Sequence, residues 1–370
     1  MQCVAILAIL GLLAADASKL RATRRNVGIV VVGDLAFQRR FKSQIQSMRC
    51  YADRHGYDMH LLTASEYDAC WHFKDFFFRK HCTVSKWLET QPADYVAAVF
   101  DGDVVAAAPK RGLEKWIDHG ADVQLYNRCL FHEIMAGNYM VRNTAFARDF
   151  LMRWANYYDH RPSGFSSSDN GAIQLVVMET LRVEGYETCF DMYKNLTSQV
   201  TDLQPYWDYV HCTKEAIGPA RAWRMPTGSL TLWPRLEFYV ADGVFLNRWA
   251  SEEVGPMFHH GIKNPEDVSS FYYQDLGRCE VNAGSVLRSA AQLGETALHL
   301  ARSYPEYFPA GSNCKQCAER CMESFTCQPL EDAEEPRPKQ VGPDAFKKAS
   351  FVLVNSAESR KHSWGWSRWE

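Results

Sequence analysis

The stretch Tyr95-Val96-Ala97-Ala98-Val99-Phe100-Asp101-Gly102-Asp103-Val104-Val105 is an apolar run broken by two carboxylates. Charged groups are costly to take out of water, so two acids at the mouth of so apolar a strand point to a bound cation. Residues i and i+2 at a strand end reach one ion if the backbone turns between them, and Gly102 permits that turn. Asp and Gly are also common turn formers, so a plain turn after the strand is the competing reading.

Working outward, Val27-Gly28-Ile29-Val30-Val31-Val32 is a β-branched run ended by Gly33-Asp34, the pattern of a strand buried on both faces. A helix is predicted over Phe41 to Arg54, with Ile45, Met48 and Ala52 inward and Gly56 closing it. Tyr57 to Leu62 reads as a second strand, Thr83 to Glu89 as a helix and Tyr95 to Phe100 as a third strand. This alternation predicts an α/β fold with a mostly parallel, doubly wound sheet, whose ligands sit at the C-terminal strand ends. Asp101 and Asp103 fall at such an end. Further on, Leu113 to His119 is a short helix, and Asp122 to Tyr126 and Tyr139 to Arg142 are strands. Ala145 to Tyr157 is helical, with Phe146, Phe150 and Trp154 along a core-facing side. Ser163 to Ser168 is a polar loop that delivers Asp169-Asn170-Gly171 to a helix over Ala172 to Leu181, where Asp169 can serve as N-cap.

At 370 residues, 46% hydrophobic and 13% aromatic, the chain can fill a large core. A net charge of −3 gives no reason to expect nucleic acid or an anionic membrane as partner. Cys3 to Ala15 is apolar but shorter than the roughly 20 residues of a membrane helix. It ends in Ala15-Asp16-Ala17, a signal-peptidase pattern. The expected order is a signal over 1–17, a basic linker over 18–26, the main domain over 27–275, a cysteine-bearing helical extension over 276–330 and a polar tail over 331–370. No stable membrane anchor is expected, and the location is the secretory pathway, either the ER/Golgi lumen or outside the cell. Twelve cysteines in an exported chain suggest disulfides. The densest group, Cys314, Cys317, Cys321 and Cys327, reads as disulfide staples rather than zinc, because thiols oxidise in an oxidising compartment and the histidines usual for zinc are absent nearby. Asn195-Leu196-Thr197 is a glycosylation sequon at Asn195.

A strand ending in Asp-x-Asp, an Asp169-Asn170 pair at a helix start and a late His260-Gly261-Ile262-Lys263 stand in one order, with Asn138-Tyr139-Met140-Val141-Arg142-Asn143 between. Together they resemble the metal-dependent, retaining nucleotide-sugar glycosyltransferases of the GT-A fold. The chain looks closest to an uncharacterised, nematode-rich family of exported proteins, itself similar to yeast α-galactosyl/α-mannosyltransferases and plant xyloglucan xylosyltransferases. Phe76-Phe77-Phe78-Arg79-Lys80-His81-Cys82 is a further local match. The resemblance covers roughly Val27 to Lys263. It implies that Asp101, Asp103 and His260 hold Mn²⁺ (or Mg²⁺), an imidazole suiting Mn²⁺ better. It also implies that Lys86, Asn138, Gly261 and Lys263 serve the donor, a UDP- or GDP-sugar, and that Asp169 and Asn170 lie beside the transferred sugar. The acceptor would be a glycan or a glycoprotein. His259 is the alternative to His260, which is preferred because Gly-x-Lys follows it. Ala241-Asp242-Gly243 departs from the Arg-Asp-Gly expected there, with Arg235 and Arg248 as nearby substitutes.

Two other classes compete. A non-catalytic nucleotide-sugar or glycan-binding protein on the same fold fits the Ala241 departure, since a fold does not guarantee an activity. A haloacid-dehalogenase-type phosphatase would use Asp101 as nucleophile. Its motif closes the first strand of a domain, however, whereas here two strand–helix units come before.

Overall fold

The computed structural model describes residues 26–128, 133–162, 168–196, 204–234, 237–241, 251, 253 and 255–282. The expected signal segment, most of the basic linker, the Cys314–Cys327 group and the polar tail lie outside them, as do Arg235, Asp242 and Arg248.

The chain is a mixed α/β protein built on a mostly parallel central sheet. Its strands are β1 (Val27–Val32), β2 (Asp58–Leu62), β3 (Val96–Phe100), β5 (Val123–Tyr126), β6 (Tyr139–Arg142), β7 (Ala222–Met225) and β8 (Gly228–Trp233), in the order β2-β1-β3-β6-β5-β8-β7. β1 pairs in parallel with β2 and β3, and β5 with β8. β6 runs against both β3 and β5, and β7 against β8. Five of the seven strands therefore point the same way, which makes the sheet mostly parallel, as expected. β6 can be reversed because the chain between it and β5 doubles back on itself, with Met135 N bonding Tyr126 O at 3.0 Å.

Strand side chains alternate between faces. Val30, Val32, Ala97 and Val99 enter one core; Ile29, Val31, Ala98 and Phe100 enter the other. Helices α1 (Leu35–Arg40) and α2 (Lys42–His55) follow β1, and α2 ends on Gly56 at φ 68°, a left-handed residue that glycine adopts without strain. Helix α3 (Phe76–Leu88) starts earlier than its sequence reading. Asp75 caps it by accepting from Phe77 N at 2.9 Å, a signal that the aromatic run conceals. After α4 (Glu114–His119) and α5 (Ala145–Asn156), helix α6 spans Ser168–Leu181. Asp169-Asn170-Gly171 thus form its first turn instead of preceding it. Gly171 is a packing glycine, since a Cβ there would lie 2.7 Å from Tyr193 Cε2.

Helices α7 (Tyr186–Lys194) and α8 (Gln204–Ile217) pack on α6. Three disulfides join Cys50 to Cys279, Cys70 to Cys82 and Cys189 to Cys212, as an oxidising compartment allows. Among the described residues no helix is long and apolar enough to cross a membrane. A second sheet orders β4 (Val105–Ala106), β10 (Phe258–His259) and β9 (Val240–Ala241) side by side, and it places the late histidines.

Candidate metal centre

β3 ends at Phe100, and the next residues carry the two acids out at the C-terminal edge of the sheet. β4 then runs antiparallel to β10 with Phe258 opposite Ala106 and His259 opposite Val105. One further step along that register sets His260 beside the turn holding Asp103. Gly261 follows at φ 90°, where an L side chain is strained, and Ile262 N bonds Asp103 O at 2.9 Å. The result is one group: His260 Nε2 lies 3.1 Å from Asp103 Oδ1 and 3.5 Å from Asp101 Oδ2. One ligand atom from each of the three residues falls within 4.8 Å of the others. His259 faces the other way, fully buried, with Nδ1 2.8 Å from Tyr272 Oη.

Asn138 ties the group together. Its Oδ1 accepts from Asp101 N at 3.2 Å, and its Nδ2 lies 3.1 Å from His260 Nδ1. Beside it, Gly137 leaves room for the acid, because a Cβ there would meet Asp101 Oδ2 at 2.2 Å. Lys263 is exposed, and its charge acts on Asp103.

The lysine that reaches the acids is Lys80. Its buried Nζ donates to Asp101 Oδ1 at 2.9 Å and approaches Ala136 O at 3.5 Å. Lys86, six residues on in α3, pairs with Glu89 at 2.8 Å on a more exposed face. A sequence signal for Lys80 exists: with Val84 and Trp87 it falls at i, i+4 and i+7 on the buried stripe of α3. A lysine on such a stripe requires an acid partner.

Burial pushes Asp101 above the usual carboxylate range against the pull of Lys80 and then His260. Burial also pushes Asp103 up, but the charge and hydrogen bond of His260, then Lys263, outweigh it and leave Asp103 below that range.

Behind the acids, His81 stacks on Trp154 at 3.5 Å between centroids. Its Nδ1 lies 3.2 Å from Tyr139 Oη, and its Nε2 lies 3.5 Å from Asp169 Oδ2. Asp169 is buried, which raises its pKa, and its backbone carbonyl accepts from Trp154 Nε1 at 3.1 Å. Asn170 is half-buried, and its Oδ1 accepts from Ala136 N at 3.1 Å. Asn195 is exposed at the end of α7, while Thr197 of its sequon lies outside the described residues.

Fold and site together define a mixed α/β protein with a three-residue Asp-Asp-His group, able to bind a metal ion, at the C-terminal edge of its sheet. The chain belongs to the family described as "Protein of unknown function, DUF273", which it matches over residues 48–267. No curated protein matches it. It is similar to a solved structure described as "Crystal structure of a glycosyltransferase involved in the glycosylation of the major capsid of PBCV-1". Identity there is 12%, coverage is 50% of this chain and 88% of that one, and the TM-score is 0.33. A likeness that low decides neither fold nor activity.

Proposed function

We propose that the protein is a metal-dependent, retaining glycosyltransferase of GT-A type that uses a nucleoside-diphosphate sugar. The observation that carries this reading is the convergence of Asp101, Asp103 and His260, with ligand atoms within 4.8 Å of one another. Two carboxylates and an imidazole are a donor set for Mn²⁺ or Mg²⁺, the imidazole favouring Mn²⁺. Among the described residues, two partly buried acids face the buried ammonium of Lys80, an arrangement that favours a further cation, and Gly137 keeps the space beside Asp101 clear. When bound, the ion would neutralise charge on the departing nucleoside diphosphate.

The chain's own residues supply the rest. Gly261 would let the backbone approach the phosphates, and Lys263 would pair with a phosphate oxygen. Asn138 would hold His260, and Asp169 and Asn170 would border the floor under the sugar. Among the described residues no carboxylate stands as an obvious nucleophile. The preferred mechanism is therefore front-face displacement: the acceptor hydroxyl oxygen bonds to the anomeric carbon as the bond to phosphate breaks, and the hydroxyl proton passes to the departing phosphate oxygen. The three disulfides fit work in the secretory pathway on a glycan or glycoprotein acceptor. Incubating the purified protein with a panel of UDP- and GDP-sugars and Mn²⁺ tests this. Transfer or hydrolysis of one donor is expected. If no donor is turned over, a binding protein replaces the enzyme; if none binds, the whole reading fails.

A further inference from the structure

The segment Glu133–Ala136 leads into Gly137 and Asn138, so it forms the floor of the metal centre. On one edge it pairs with the chain after β5: Asn127 bridges Ile134, Arg128 N bonds Glu133 O at 2.8 Å, and Met135 N bonds Tyr126 O at 3.0 Å. An extended segment has a second edge, whose backbone groups at residues 134 and 136 need partners when buried. Those partners are side-chain amides of α6. Gln174 accepts from Ile134 N at 3.2 Å through Oε1 and donates to Ile134 O at 3.0 Å through Nε2. Asn170 accepts from Ala136 N at 3.1 Å, and Lys80 approaches Ala136 O at 3.5 Å. The spacing makes the match. Residues 170 and 174 are i and i+4 on one helix face, roughly 6 Å apart, and residues 134 and 136 repeat along a strand edge at roughly 6.6 Å.

We infer that Asn170 and Gln174 are positioning residues for the metal centre, which lock the floor so that Gly137 and Asn138 meet Asp101 and His260 in register. This rests on the reading of Asp101, Asp103 and His260 as a metal site. It gives Asn170 a role separate from the sugar, because its side-chain oxygen is committed to the floor. The clamp reaches the ligands through a short path: Ala136 is held by Asn170, Asn138 lies two residues on, and Asn138 bonds both Asp101 N and His260 Nδ1. An ordinary packing role for Asn170 would affect stability without affecting the ion.

The test is Mn²⁺ titration by calorimetry on the full chain. Asn170→Ala should weaken Mn²⁺ binding about tenfold or more, the range usual for groups that orient metal ligands. Asn170→Asp, which keeps an acceptor for Ala136 N, should bind Mn²⁺ more tightly than Asn170→Ala. An Asn170→Ala protein that binds Mn²⁺ within twofold of the parent overturns the inference. Amide hydrogen exchange supplies a readout without metal: Asn170→Ala should speed exchange at Ala136 and Asp101, and Asn170→Asp should not. If the parent binds no Mn²⁺, the metal reading fails, and unchanged exchange at both amides then overturns the clamp as well.

Discussion

Replacing Lys80 with methionine removes the buried cation while keeping most of its volume. In the folded protein the Lys80 side chain is 2% exposed and that of Asp101 23%, with 2.9 Å between charges. Removing one partner of a buried pair costs about 3–5 kcal/mol, because the other charge is left uncompensated. Asp101 retains some solvent and a second cation-capable neighbour in His260, so the low end, about 3 kcal/mol, applies here. For a domain of this size, 1 kcal/mol moves Tm by about 2–4 °C, which gives a fall of roughly 6–12 °C in differential scanning calorimetry. Lys80→Met together with Asp101→Asn should recover most of that loss, since no charge is then stranded. Mn²⁺ should also rescue Lys80→Met, because a cation in the cluster replaces the one deleted. At a hundredfold excess over Kd, the stabilisation from binding is about 2.7 kcal/mol. A Lys80→Met protein that melts within 2 °C of the parent, or a double variant no more stable than the single, would refute Lys80 as the counter-ion of Asp101.

Three further outcomes are expected. Asp103→Asn and His260→Ala should each weaken Mn²⁺ binding at least tenfold by calorimetry, whereas His259→Ala should leave it unchanged and lower stability, since His259 is fully buried against Tyr272. Burial raises Glu237 to about 7 against the pull of Lys115. Its contribution to stability is therefore fully present below the ordinary carboxylate value and is lost as pH rises through about 7; Glu237→Gln should raise Tm at pH 8.5 and change it little at pH 4. The Cys50–Cys279 bridge closes a loop of sequence separation 229, so the double serine variant should lose about 2–5 kcal/mol in urea unfolding.

Much of this protein follows from its local sequence. The β-branched runs at Val27 and Val96, the αL glycine after α2 and the acid pair at a strand mouth are legible because each depends on a period or a turn spanning a few residues. The order of motifs marks Asp101, Asp103 and His260 as candidates for one site. Their meeting depends on the antiparallel register of β4 and β10, which joins segments more than 150 residues apart. Local pattern cannot encode that pairing, since many registers satisfy the same alternation. The pairing of Lys80 with Asp101 likewise depends on which face of α3 the core covers: the spacing of Lys80 with Val84 and Trp87 marks a buried lysine but not its partner. The reversal of β6, the partners of the cysteines and the amide clamp of Asn170 and Gln174 were decided by contacts between distant segments. The sequence determined the elements and the chemistry they carry; tertiary packing decided which charges share a burial site, because only there does an unpaired group become too costly to leave alone.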